Sequence, residues 1–132
     1  MSAAPGNFGL DRIGQIAVNV HDLERAIRFY RDTLGMRFLF QAPPQMAFFD
    51  CGGVRLLIGV AARPELDHPA SIIYYRVPDI RVAHDTLRQR GVKFVTAPHL
   101  VAKLPDHDLW LADFRDSEDN LLALMSEVRP AA

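Results

Sequence analysis

The sequence predicts an α+β fold of two tandem βαβββ modules, whose eight strands form one cupped mixed sheet with the helices on the outside. Three observations predict it. A strand-like alternation passes into a helical repeat between Ile13 and Leu34, the same order returns from Ser71 to Leu87, and each helical repeat stops at a glycine, Gly35 and Gly91. A βαβββ unit leaves one sheet face uncovered, so a second copy in the same chain gives that face a partner.

The elements follow in order. In Ile13–Val20, Ile16, Val18 and Val20 share one face and Gln15, Ala17 and Asn19 the other, the two-residue period of a strand. Asp22 offers an N-cap carboxylate to a helix expected over residues 22–34, with Leu23, Ala26, Ile27, Tyr30 and Leu34 on its apolar stripe and Gly35 free to turn left-handed at its end. Arg37–Gln41, Met46–Asp50 and Val54–Val60 are short apolar runs broken by Pro43-Pro44 and Cys51-Gly52-Gly53, which read as three strands. After the proline-rich and charged linker 63–69, Ser71–Val77 alternates again and Asp79 caps a helix expected over 79–90, with Ile80, Ala83, His84 and Leu87 at helical spacing. The expected organisation is a single domain over 1–132, with module one at about 11–62 and module two at about 70–128. Matching the halves sets Val20 on Val77, Asp22 on Asp79, and Phe49-x6-Leu56-Leu57 on Phe114-x6-Leu121-Leu122.

Bulk properties exclude several classes of function. A chain of 132 residues with 49% hydrophobic content supports one well-cored domain. Fifteen Lys and Arg against sixteen Asp and Glu, with no basic run, give no footprint for nucleic acid. The opening MSAAPGNFGL lacks the charged and apolar parts of a leader, and no apolar run reaches the roughly 18 residues that span a bilayer, so no membrane partner and a cytoplasmic location are expected. The single cysteine, Cys51, excludes an internal disulfide and reads as a structural turn residue.

The runs IGQIAVNVHDLERAIRFYRDTLGM, FFDCGGVRLLIG, YYRVPDIRVAHDTLRQRGVKF and FRDSEDNLLALMSEV together resemble the vicinal oxygen chelate superfamily of glyoxalases, bleomycin-resistance proteins and extradiol dioxygenases, from about residue 11 to 128. The resemblance implies a divalent metal on the inner face of the cup, held by His, Glu or Gln from both modules. Carried onto this chain, those ligand positions fall on Gln15, Ile58, Ile72 and Ala123. One neutral amide among three alkyl groups offers neither the donor number nor the charge that a divalent ion needs. No metal and no cofactor are therefore expected, and Gln15 reads as a polar anchor in an apolar floor.

Strand parity extends the expected ligand-binding set to Gln15, Asn19, Ile58, Ile72, Tyr74, Arg76, Ala123 and Met125, an apolar cup in which Asn19, Tyr74 and Arg76 orient a carbonyl, carboxylate or hydroxyl. In APHLVAKLPDHDLW, expected as a hairpin or loop over the cup mouth, Trp110 offers an aromatic wall, and Asp108 beside His107 gives a weak candidate base and its orienting partner. A rearranged metal site would draw on Gln15, His68, His99 and His107. His21 and His84 read as surface residues, and Asp113, Arg115 and Asp116 as a solvated charged turn. Three classes of function follow: a metal-free protein binding a small organic molecule, a metal-dependent lyase or dioxygenase with a rearranged site, and an interaction module whose cup is filled by its own side chains. A homodimer is expected, because small members of the superfamily commonly cover their cups across a two-fold interface.

Overall fold

Alternation in the first strand sets the inside and outside of the whole molecule. In the computed structural model, which describes residues 8–130, β1 (Gln15–Asn19) buries Val18 to 1% exposure on one face and leaves Gln15 and Ala17 open on the other. The expected absence of a leader concerns a stretch of which residues 1–7 lie outside the described part. Asp22 caps α1 (Leu23–Arg28) by accepting from the Arg25 amide at 3.0 Å. The helix then widens into a π turn, Phe29–Thr33, where the Leu34 amide reaches back to the Phe29 carbonyl at 2.9 Å. The π turn absorbs a length difference between the halves: Gly35 lies fifteen residues beyond Val20, whereas Gly91 lies fourteen beyond Val77.

Three strands complete the first module: β2 (Arg37–Ala42), β3 (Met46–Cys51) and β4 (Val54–Gly59). The second repeats the order with β5 (Ile73–Arg76), α2 (Ile80–Gln89), β6 (His99–Lys103), β7 (Asp108–Arg115) and β8 (Leu121–Val128). Asp79 caps α2 from the Arg81 and Val82 amides. The eight strands hydrogen-bond as two four-stranded mixed sheets, ordered β1-β4-β3-β2 and β5-β8-β7-β6, each with one parallel pair at its β1 or β5 edge. Gly35 and Gly91 close their helices at φ 72° and 92°, a left-handed geometry that favours glycine.

Each helix packs on its own sheet, and the helix-facing residues of both modules merge into one core. Val18, Phe49, Leu56 and Ile58 come from module one, and Leu87, Phe114, Leu122 and Leu124 from module two. His84, expected at the surface, belongs to this packing: its ring lies edge-on to Phe94 at 4.3 Å, because α2 turns that face toward the strand-like segment before β6. No helix among the described residues is long and apolar enough to cross a membrane.

The two β-hairpin turns differ by one residue, and this decides the faces of β4 and β8. Four residues, 51–54, separate the paired Asp50 and Arg55, whereas five, 116–120, separate the paired Arg115 and Leu121. The true correspondence is therefore Leu56 with Leu122 and Leu57 with Ala123. Since side chains alternate with a period of two, one extra residue inverts every face downstream.

Candidate functional site

The sheet faces turned away from the helices form the candidate site, and the register of each strand fixes which residues reach them. In module one, Gln15, Ala17 and Asn19 share their face with Arg55, Leu57 and Gly59, and across β3 with Asp50, Phe48 and Met46. Phe40 stacks on Phe48 at 4.8 Å and the Arg55 guanidinium lies 5.8 Å from the Phe48 ring centre, giving an aromatic floor beside Leu57 and Ala17. In module two, Tyr74 and Arg76 pair with Ala123 and Met125, and Leu111 and Asp113 continue the same face. Tyr74 and Phe40 are 48% and 46% exposed, so these faces are not filled by the protein's own side chains.

Several expected site residues are placed elsewhere. Ile58 pairs with Val18 and is fully buried toward α1; Leu57 holds the inner-face position, for the turn-length reason given above. Trp110 pairs with Ser126 and packs against Arg81 of α2 at 5.3 Å, on the helix side, so it cannot wall an inner-face ligand. Asn19 does lie at the inner edge, but its amide group donates to the carbonyls of Leu66 and His68, at 2.5 and 3.1 Å, and ties the linker to β1. Gln15, at the start of β1 and opposite Arg55, is exposed with its side chain uncommitted, and Ile72 sits just ahead of β5 at 42% exposure. Ala123 lies fully buried between its cross-strand partners Tyr74 and Asp113.

Asp108, expected to orient His107, instead approaches Lys103 at 3.6 Å. The neighbour on the other side takes that role: His107 Nδ1–H donates to Asp106 at 2.8 Å, and this hydrogen bond holds the Asp106 carboxyl below its ordinary range. His107 Nε2 lies 3.9 Å from Glu127, which also meets Arg76 at 3.6 Å. A polar group of Arg76, Glu127 and His107 thus closes one end of the module-two inner face. Glu127 carried no signal in the sequence, because its face depends on the β8 register.

The donor set does not fit a metal at the inherited positions. With Leu57 in place of Ile58, the set is one amide and three alkyl groups, so no step can be routed through a bound ion there. His68 turns its ring to the Pro69 carbonyl and His99 to the Ala97 carbonyl. Among the described residues, no three His, Cys, Asp or Glu side chains converge as a metal-binding group.

In the charged turn after β7, Arg115 is exposed and pairs with Asp119 at 3.6 Å, as a solvated turn would, but Asp116 is buried. Asp116, 6% exposed, accepts from Tyr30 Oη at 2.7 Å, from the Glu118 and Asn120 amides at 2.8 Å each, and from Asn120 Nδ2 at 2.9 Å. Burial, and then the Asp116 charge, push the Tyr30 phenol well above its ordinary pKa, so it remains a donor. Glu118 accepts from the Asp22 amide at 3.0 Å and from Arg25 at 2.7 and 3.1 Å. Burial raises the Glu118 pKa, but hydrogen bonds from Arg25, Ser117 and the Asp22 amide outweigh it and hold the carboxyl below its ordinary value. The sequence missed this anchor because its partners are distant, Tyr30 and Asp116 being 86 positions apart.

Comparison with known proteins agrees with this architecture. The family model for the glyoxalase/bleomycin resistance protein/dioxygenase superfamily matches residues 12–124. The uncharacterized protein YraH of Bacillus subtilis (strain 168) is 26% identical over 127 residues, covering 83% of this chain and 94% of that one. A superfamily member from Sphaerobacter thermophilus DSM 20745 superposes with a TM-score of 0.76 at 24% identity, over 89% of this chain and 98% of that one. TnmS3, an antibiotic binding protein from Streptomyces sp. CB03234, superposes with a TM-score of 0.74 at 22% identity, over 92% and 99%. With two βαβββ modules and a family match over most of its length, the chain belongs to the glyoxalase/bleomycin resistance protein/dioxygenase superfamily.

Proposed function

We propose that this protein binds a small, largely apolar organic molecule on its inner sheet faces without a coordinated metal. The carrying observation is the set at the inherited ligand positions, Gln15, Leu57, Ile72 and Ala123, which supplies one neutral oxygen donor and no charge. Around it, Phe40, Phe48, Leu57, Tyr74 and Met125 offer aromatic and aliphatic surface, while Gln15 and Arg76 supply polar contacts at the margin. Open exposure of Tyr74 and Phe40 favours this reading over a self-filled interaction module. The likeness to TnmS3 supports a binding role, since that protein is described as binding an antibiotic. In this reading the protein works in the cytoplasm, and two copies meet through these faces, because Phe40, Ile72 and Tyr74 leave large apolar side chains uncovered.

A thermal-shift screen with polycyclic aromatic ligands, run with and without EDTA and paired with elemental analysis of the purified protein, tests the proposal. The expected result is a saturable rise in Tm that the chelator does not reduce. A stoichiometric divalent ion, or a rise abolished by EDTA, overturns the metal-free claim. Light scattering tests the dimer separately, and a monomer mass at micromolar concentration refutes it. Replacing Ile72→His together with Ala123→Glu is expected to create measurable Zn²⁺ affinity by adding an imidazole and a carboxylate beside Gln15. A folded double variant that binds no zinc shows that these positions do not converge.

A further inference from the structure

A second cleft lies on the opposite side of the module-two sheet from the proposed inner-face site, between that sheet, α2 and the β3–β4 turn. It encloses about 450 Å³, within the size range of small-molecule pockets. Its lining is mostly apolar, with Met36, Tyr75, Ala83, Leu87, Phe114 and Leu124 prominent, and the charged Arg37 and Asp50 stand among its lining residues. One polar atom sets it apart from a packing defect. The Tyr75 hydroxyl is shielded from solvent and has no protein hydrogen-bond partner.

The equivalent contact on the other side of the pseudo-two-fold axis shows why the space exists. Counting from the paired valines, Tyr30 of α1 corresponds to Leu87 of α2, and Val18 of β1 to Tyr75 of β5. In the first contact Tyr30 fills the gap and donates to Asp116 in the longer turn. In the second, the aromatic ring comes from the strand instead of the helix. The shorter turn Cys51-Gly52-Gly53 carries no carboxylate, Asp50 just ahead of it makes no hydrogen bond to the Tyr75 hydroxyl, and the ring borders a second space of about 360 Å³ that also touches Cys51 and Gly52. A buried phenol donor beside an apolar cleft recognises a hydrogen-bond acceptor carried on a hydrocarbon frame.

We infer that this intermodule cleft is a second ligand site, separate from the inner sheet faces, that takes a neutral apolar molecule bearing one carbonyl or ether oxygen aligned with the Tyr75 hydroxyl. Nothing in its lining favours an anion, since Asp50 stands beside Arg37 and the thiol of Cys51 is held protonated, its pKa raised by burial and by the Asp50 charge. The site does not depend on the reading of the inner faces.

The matched probes 1-tetralone and tetralin, identical in frame but with and without a carbonyl oxygen, test the inference by amide chemical-shift titration of the full chain. The ketone is expected to shift the amides of Gly52, Ala83 and Leu87 saturably and to bind about tenfold more tightly than the hydrocarbon. Tyr75→Phe should remove that preference while leaving tetralin binding unchanged. Leu87→Phe, or Ala83→Leu should the first fold poorly, should fill the space and abolish both. Shifts confined to Ala17, Leu57 and Ala123 overturn the second site while supporting the inner-face reading. Equal affinities for the two probes, a ketone preference that survives Tyr75→Phe, or no saturable shift up to the solubility limit also overturn it.

Discussion

The two contacts between the modules are related by pseudo-symmetry, yet one is sealed and the other is open. Where α1 meets the β7–β8 turn, Tyr30, Asp116, Glu118 and Arg25 form a hydrogen-bonded plug around a fully buried ring. Where α2 meets the β3–β4 turn, Leu87 and a glycine pair leave a cleft bordered by Tyr75. Both contacts use equivalent helices, sheets and turns. The difference lies in where the tyrosine is attached and whether the turn carries a carboxylate, so a duplicated architecture can hold its halves together at one place and retain space at the other.

Removing the acceptor at the sealed contact should have the largest effect. Asp116→Ala leaves the Tyr30 hydroxyl and two turn amides without their partner, and is expected to cost roughly 3 kcal/mol, or about 10 °C in Tm. Urea unfolding followed by circular dichroism measures it; a loss below about 1 kcal/mol would mean that the plug does not hold the modules. Tyr30→Phe removes one hydrogen bond from the same carboxylate while keeping the ring, and should cost about 1.5 kcal/mol in the same experiment.

Acid should weaken the sealed contact in a defined direction. The folded Glu118 carboxyl has a lower pKa than in the unfolded chain, so its contribution is fully present above the ordinary glutamate value of about 4.3 and is lost as pH falls through its lower folded value. Glu118→Gln should therefore cost about 1 kcal/mol at neutral pH and flatten the loss of stability below pH 4. An acid limb of unchanged slope in the variant would show that other carboxylates govern it. The smallest effect belongs to the open contact: Tyr75→Phe deletes a hydroxyl with no protein partner, so stability should stay within about 0.5 kcal/mol of the parent or rise. A loss comparable with that of Tyr30→Phe would show that the two contacts are equivalent after all.

Much of this architecture is legible in the sequence, because β1 and both helix starts announce themselves locally. Val18 and Val20 alternate with polar or small neighbours, and Asp22 and Asp79 stand immediately before their apolar stripes. The β4 face was not legible. In Val54–Gly59 only Arg55 marks the face it shares with Leu57 and Gly59, the following Leu56, Leu57 and Ile58 show no further alternation, and a gapless match of the two halves chooses Ile58 where the register gives Leu57. Trp110 failed for a similar reason, since Leu109, Leu111 and Ala112 provide no polar alternation to mark its side. Asp116 reads as a surface charge until Tyr30 is brought to it from the other module, and that meeting is a product of the tertiary fold.

The unequal turns also bear on how such a gene can change length. Apart from a longer stretch between Gly91 and Phe114 than between Gly35 and Phe49, the halves differ by one codon in the first helix and one in the hairpin that leads into β4 or β8, and each of these single residues sits where the backbone can absorb it, as a π turn or as a longer loop. A codon added inside a strand would invert the residues beyond it and turn a core stripe outward. Only places that reset the phase of the chain can therefore gain or lose a residue without exchanging the lining of a pocket for the packing of a core. Gly52-Gly53, with both residues left-handed and nothing within 4 Å of an added Cβ, is such a place, and the length of that short hairpin helps decide which side chains the protein presents to a ligand.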